Sequence, residues 1–347
     1  MKNRLASVRT RIRLPYVATA AVAVAAVAAV AVAAPAMSAQ ASPISAAAAH
    51  TTHSGCDLNP SPPAGFTEKK VSVNGVGINY VRGGHGPTLL LIHGYPESWY
   101  EWEPILPALA QHYTVIAPDL PGAGDSDAPN VEADYTKQAM AADLYGLLAK
   151  LGLNQNINVV GHDIGTMVAY SIAAAHPANV SKLVLSEAPI PDQSIYTLPA
   201  LTERGPGLWW FGLFNDPNNL AYQMFSGKEK EWVYGSIPVL ETVKNSITQC
   251  DLAVFTHYLK EPGHLQATID WFSTFGQDIA NDAIYQKTKL TMPVMAIGGA
   301  NGLNTLLTGQ VPGYATNVTP EIIKDTGHWL YEERPAAMTS LLLKFLG

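Results

Sequence analysis

Continuous apolar runs recur along the first half of the chain, at Thr88–Ile92, 113–117, 157–160 and 182–186. Each is too short for a buried helix and apolar on both faces, the pattern of a strand inside a parallel sheet. Helical patterns separate them. Residues 98–110 read as one helix. Residues 136–151 place Met140, Leu144, Leu147 and Leu148 on one face, and Ile164–Ala175 ends just before Pro177. Ahead of these, 69–73 and 77–82 alternate around Asn74-Gly75 as a hairpin. Strand and helix in alternation predict an α/β fold, a mostly parallel sheet with helices on both faces.

From Pro189 the alternation stops. Residues 189–285 carry Trp209, Trp210, Phe211, Phe214, Phe225, Trp232, Phe255, Tyr258, Trp271, Phe272 and Phe275. Helical patterns are expected there at 219–225, 229–235, 248–259 and 262–274, forming a helical cap inserted into the sheet domain. The sheet resumes at 292–297 and ends with a strand at 321–323. The core is therefore expected at 66–188 and 286–347, and the cap at 189–285.

The N-terminus changes the picture of where the protein works. Lys2, Arg4, Arg9, Arg11 and Arg13 precede an Ala/Val-rich run from Val17 to Ala36, followed by Ala39-Gln40-Ala41. This is the layout of a signal peptide over 1–41, cleaved near Ala41, and it predicts a secreted protein with no membrane attachment after cleavage. An uncleaved anchor is the rival reading. Cleavage leaves 347 − 41 = 306 residues and moves the formal charge from −7 to −7 − 5 = −12. Such an acidic body argues against nucleic acid or an anionic membrane as partner. Residues 42–65 are rich in Ala, Ser and Pro and read as a linker or surface arm. They hold Cys56, and the only other cysteine is Cys250. In an oxidising compartment the two could pair; two free thiols remain the alternative, and no metal site follows from two lone cysteines. A homodimer is left open.

Ligand chemistry in such a sheet belongs at the carboxyl ends of the strands. His93, Asp119, Asp163 and Glu187 each follow an apolar run directly. Gly161-His162-Asp163-Ile164-Gly165 reads as a tight strand-to-helix turn that holds Asp163 clear of the chain. A carboxylate there is ionised at neutral pH and needs no base to attack carbon. His328, following Gly327 after the last strand, can then activate water against the ester, with Glu187 orienting the imidazole. The backbone N–H groups of Tyr95 and Ile164 fit an oxyanion hole. Taken without the rest, the same turn reads equally well as an Asp that only caps a helix.

Together, His93-Gly94-Tyr95-Pro96-Glu97-Ser98-Trp99, Asp119 to Ser126, Gly161 to Gly165, Glu187-Ala188-Pro189-Ile190-Pro191-Asp192 and Gly327-His328-Trp329 resemble the epoxide hydrolase and haloalkane dehalogenase branch of the α/β-hydrolases. The Glu187 stretch is similar to a subgroup of bacterial epoxide hydrolases with secreted members. The resemblance implies an α/β-hydrolase fold and an epoxide hydrolase with a catalytic set of Asp163, Glu187 and His328. It implies no cofactor and no metal. One departure stands in the cap. The family's two hydroxyl or imidazole donors to the leaving oxygen correspond to Trp210 and Phe272. Trp210, Trp209, Tyr258 and His93 are thus the candidate contacts to leaving group or substrate, in a pocket suited to a small, largely apolar molecule. A dehalogenase using Trp210 on the halide, and a non-catalytic binding protein on the same scaffold, are the alternatives.

Overall fold

The computed structural model describes residues 55–202 and 205–347. The expected signal peptide and most of the arm lie outside the described residues. Its centre is an eight-stranded sheet in the order β1-β2-β4-β3-β5-β6-β9-β10. The strands are β1 (Phe66–Val73), β2 (Val76–Gly84), β3 (Thr88–Ile92), β4 (Thr114–Pro118), β5 (Ile157–His162), β6 (Val180–Ser186), β9 (Val294–Gly299) and β10 (Val318–Ile323). Two further two-residue strands, β7 (Leu201–Thr202) and β8 (Gly205–Pro206), pair apart from it. The β1–β2 and β2–β4 pairings are antiparallel and all others in the large sheet are parallel. β3, β4 and β5 are buried at every residue, as their unbroken apolar runs require.

The helices are α1 (Leu106–Leu109), α2 (Lys137–Lys150), α3 (Ile164–Ala175), α4 (Trp209–Phe214), α5 (Leu220–Phe225), α6 (Glu229–Ser236), α7 (Gln249–Leu259), α8 (His264–Ser273), α9 (Phe275–Tyr285), α10 (Thr305–Gln310), α11 (Leu330–Glu333) and α12 (Pro335–Leu346). Thr136 caps α2 through its hydroxyl, which accepts from the Ala139 N–H. Thr248 and Asp251 form a capping box at the start of α7. Among the described residues no helix is long and apolar enough to cross a membrane.

Two expectations change. The single helix over 98–110 is broken into a 3-10 turn, Trp99–Trp102, and the short α1. Pro104 has no N–H to return to the Tyr100 carbonyl, and Pro107 belongs to the first turn of α1 rather than to a helix interior. The last strand begins earlier than 321–323. It runs through Pro320, which is tolerated because β10 lies at the sheet's edge.

Six helices, α4 to α9, fall between β6 and β9, where the aromatic-rich segment was expected to leave the sheet. Two covalent or ionic ties anchor them. Cys250 in α7 is disulfide-bonded to Cys56, with Cα atoms 5.3 Å apart across 194 residues of sequence. Lys137 at the start of α2 meets Asp278 of α9 at 2.7 Å, both side chains 1% exposed. Lys137 Nζ also donates to the Trp271 carbonyl and the Thr274 hydroxyl, so this buried pair is fully surrounded by partners.

Candidate active site

The elbow between β5 and α3 is built by glycines. Asp163 sits at φ 49°, ψ −123°, a strained conformation for a residue with a side chain. A methyl on Gly161 would lie 2.2 Å from the Gly165 carbonyl oxygen, and one on Gly165 would lie 2.0 Å from the Ile92 carbonyl oxygen. The turn therefore closes only with both glycines. Gly94 is equally constrained, because its added Cβ would stand 2.5 Å from the Asp163 Cβ. These contacts push the Asp163 carboxylate out past the ends of β3 and β5.

Asp163, Glu187 and His328 converge there. His328 Nε2 is 3.7 Å from Asp163 Oδ2, and its Nδ1 is 3.2 Å from Glu187 Oε2. Asp163 and His328 are 15% and 12% exposed while the Glu187 side chain is fully buried, so the first two present the larger surface to a cavity that all three line. The loop after β9 wraps Glu187. The Gly299 N–H donates to Oε1 at 2.6 Å, and the Leu303 N–H donates to both oxygens at 3.0 and 3.1 Å. Gly302 lies so close that a Cβ would meet Glu187 Oε2 at 2.4 Å. These amide hydrogen bonds fix the orientation of the carboxylate. The Tyr95 N–H donates to Asp163 Oδ1 at 2.9 Å. Ile164 opens α3 directly after Asp163, with its side chain buried in the core.

Above these residues lies a cavity of about 360 Å³. Its floor is Asp163, His328, Glu187 and Tyr95. Its walls are mostly apolar, among them Leu208, Trp210, Phe211, Trp232, Leu240, Phe272 and Leu306. Trp210 lines the cavity. Its indole N–H has no acceptor among the described residues, which leaves it available to a ligand. Phe272 also lines the cavity and packs edge-on against the Tyr95 ring, with centroids 5.2 Å apart.

Three expected contacts are not at the cavity. Trp209, next to Trp210 on α4, turns outward and is 40% exposed, because neighbours on a helix face different directions. Tyr258 points from α7 to the loop after β4, where its hydroxyl donates to Asp125 Oδ2 at 3.5 Å. His93 is a buried pin. Its Nδ1–H donates to the Gly94 carbonyl at 2.8 Å and its Nε2 accepts from the Leu120 N–H at 2.9 Å. Burial pulls its pKa down to about 4, so it stays neutral. Asp119 is a second pin, taking the Trp99 and Asp125 N–H groups and the Asn79 amide. Of the four polar residues at strand ends, two face the cavity and two lock loops.

A cluster beneath the site escaped sequence reasoning. His162, the residue before Asp163, is fully buried, with Nδ1 2.9 Å from Glu101 Oε1 and 3.7 Å from Glu97 Oε2. Its Nε2–H donates to the His328 carbonyl at 2.9 Å. Desolvation opposes the charged imidazole, but the adjacent carboxylates overcome it and hold the pKa well above 6.5. Burial, with the repulsion of Glu101, pushes Glu97 up to about 8. Burial likewise raises Glu101 and Glu332. The ligand-type atoms of Glu97, Glu101 and His162 lie within 4.8 Å of one another, the one group among the described residues close enough to hold an ion. The available signal was the i, i+4 spacing of Glu97 and Glu101 just after β3, beside the His of the elbow.

The comparisons agree with this geometry. A family model described as the alpha/beta hydrolase fold matches residues 87–335. A soluble epoxide hydrolase of a Corynebacterium species is 30% identical over 299 residues, 81% of this chain and 97% of that protein. Among solved structures, Cfl2 from Burkholderia cenocepacia aligns at a TM-score of 0.76 and 33% identity, over 82% of this chain and 96% of that one. The Cif epoxide hydrolase from Acinetobacter nosocomialis aligns at 0.78 and 29%, over 83% and 91%. With the eight-stranded sheet, the elbow and these matches in agreement, the chain belongs to the α/β-hydrolase family, on its epoxide hydrolase branch, and is a hydrolase.

Proposed function

We propose that the protein opens epoxides to vicinal diols through a covalent ester of Asp163. The observation that carries this reading is a carboxylate, in place of a hydroxyl, on the elbow of an apolar cavity, with His328 at 3.7 Å. Asp163 attacks one epoxide carbon and the ring C–O bond breaks. His328 then takes a proton from a water that attacks the ester carbonyl, and Glu187 stabilises the imidazolium that forms. The Tyr95 N–H, already on Oδ1, and the Ile164 N–H stabilise the oxyanion of that second step. Helices α4 to α9 act as the cap that excludes water and shapes the pocket for a small, largely apolar substrate. Export is part of the same proposal, and a disulfide between Cys56 and Cys250 suits an oxidising compartment.

A dehalogenase is the second reading, favoured by one observation: Trp210 lines the cavity and its indole N–H has no acceptor among the described residues. Single turnover in heavy-oxygen water separates chemistry from its rivals. With enzyme in excess, the first diol is expected to carry an oxygen from the protein, and label in that first product would overturn the ester mechanism. His328→Gln is expected to accumulate an adduct on Asp163, seen by peptide mass spectrometry, with styrene oxide on the first reading and 1-bromobutane on the second.

A further inference from the structure

We propose that the Tyr95 hydroxyl is the acid that protonates the leaving oxygen, positioned by the indole N–H of Trp232. This rests on the epoxide hydrolase reading. Opening an epoxide with a carboxylate produces an alkoxide, which needs a proton as the ring C–O bond breaks. Among the described residues the roof does not provide one. Phe272 has no acidic proton, and the Trp210 N–H donates a hydrogen bond without giving up its proton. His328 is reserved as the base for water, and Glu187 is wrapped by amides. Tyr95 is the only phenol among the described residues lining the cavity.

Its placement is specific. The Tyr95 backbone already touches the nucleophile through its N–H, so its side chain starts within one residue of the reacting atoms. The ring is wedged edge-on between Phe214 at 5.8 Å, Trp271 at 6.3 Å and Phe272 at 5.2 Å. Trp232 Nε1 lies 2.6 Å from the hydroxyl oxygen. An indole nitrogen can only donate, so the phenol oxygen accepts and its own proton turns away from Trp232. That proton has no acceptor among the described residues. Burial, with the Asp163 charge adding to it, holds the phenol above its ordinary range, so it rests protonated; the Trp232 bond acts the other way. As the proton leaves, that bond becomes charge-assisted and strengthens, which favours the transition state over the ground state.

The atoms balance. An Asp163 oxygen bonds the epoxide carbon, the ring oxygen keeps the pair from the broken C–O bond and takes the Tyr95 proton. A hydroxy ester and a tyrosinate result. Water then attacks the ester carbonyl while His328 takes one of its protons. The tetrahedral intermediate expels the ester oxygen, which takes the second water proton, so the diol leaves and Asp163 is again a carboxylate. The imidazolium proton returns to the tyrosinate through solvent water. One water is consumed.

The test is the rate of ester formation with styrene oxide in rapid-mixing single turnovers, with Tyr95→Phe and Trp232→Phe. Tyr95→Phe keeps the ring and is expected to slow ester formation by roughly 100-fold or more, with substrate binding and ester hydrolysis within about threefold of the parent. The parent is expected to show a solvent deuterium isotope effect on this step that Tyr95→Phe lacks. Trp232→Phe is expected to slow the step about tenfold with binding unchanged and the isotope effect kept. Ester formation by Tyr95→Phe within threefold of the parent would overturn the proposal, as would an equal loss in binding and in rate for both variants. A parent that forms no Asp163 ester with any epoxide overturns the epoxide hydrolase reading itself, and the proposal with it.

Discussion

The floor of the cavity is held by backbone; its roof is held by side-chain packing. In the floor, Glu187 takes the Gly299 and Leu303 amides, Asp163 takes the Tyr95 amide, and glycines at 94, 161, 165 and 302 leave no room for a Cβ. In the roof, Trp210, Phe211, Phe214, Trp232 and Phe272 meet mostly ring edge to ring face, with centroids 5.1 to 6.4 Å apart, and Gly212 has nothing within 4 Å of an added Cβ. The two regions follow different rules. Positions fixed by backbone geometry tolerate almost no substitution. Aromatic contacts are non-directional enough that one ring can replace another and the cavity keeps its volume. A floor of this kind fixes the reaction, and a roof of this kind can vary with substrate.

The largest effect that would break this contrast comes from a single methyl placed in each region. Gly165→Ala in the floor drives a Cβ to 2.0 Å from one backbone carbonyl oxygen and 2.6 Å from another, and neither can move without opening β3. Thermal or denaturant unfolding is expected to show a loss of about 3 kcal/mol or more. Gly212→Ala in α4 meets open space and removes a helix-interior glycine, so a gain of about 0.5–1 kcal/mol is expected. Similar losses at both sites would mean that the roof is as tightly determined as the floor.

A smaller effect comes from beneath the floor. Glu97 is buried beside Glu101, Glu332 and His162, and its pKa rises from 4.5 to about 8. A carboxyl whose folded pKa is raised binds its proton more tightly when folded. Its contribution is present below pH 4.5 and is lost as pH climbs toward 8. The raised His162, Glu101 and Glu332 act in the same direction, because each also loses stability as its proton leaves. Glu97→Gln keeps a neutral group in place and removes one part of that slope. Its melting temperature is expected to match the parent at pH 5 and exceed it at pH 8.5, by a margin on the order of 2–4 °C. An advantage that is larger at pH 5 than at pH 8.5 would show that Glu97 is held ionised.

The same contrast explains what could be read from sequence. Asp163, Glu187 and His328 were legible because each follows an apolar strand or a glycine turn, so local pattern fixes position in the sheet. The hairpin at Asn74-Gly75 and the helices α2, α3, α5, α6, α7 and α8 were legible for similar reasons of period and capping. His93 and Asp119 follow the same pattern, but nothing local separates a side chain aimed into the cavity from one that ties two loops. The roof was harder still. Whether Trp209 or Trp210 faces inward depends on how α4 packs, and Tyr95 meets Trp232 across 137 residues of sequence. Contacts of that kind leave no local trace. The break of 98–110 at Pro104 was legible in principle, since proline cannot continue the helix bond there.

Trp210→Phe is the gentlest way to sharpen the comparison, because it changes the roof by one hydrogen-bond donor while keeping an aromatic ring. Trp210 is 9% exposed and packs against Phe211 and Trp232, so part of its role is shape. The remainder is its N–H, which has no acceptor among the described residues, on a residue that lines the cavity. On an epoxide the leaving oxygen needs a proton, which an indole does not give up, so losing this donor weakens orientation alone. An increase in KM of about three- to tenfold with kcat nearly unchanged is expected, the size of one neutral hydrogen bond. On an alkyl halide the leaving group is an anion that needs hydrogen-bond donors and no proton, so the same substitution would fall on kcat. A larger kcat loss with 1-bromobutane than with styrene oxide would assign Trp210 to the halide. A KM effect confined to epoxides would leave the roof with the passive part, and the acid chemistry would then lie with the floor, at Tyr95.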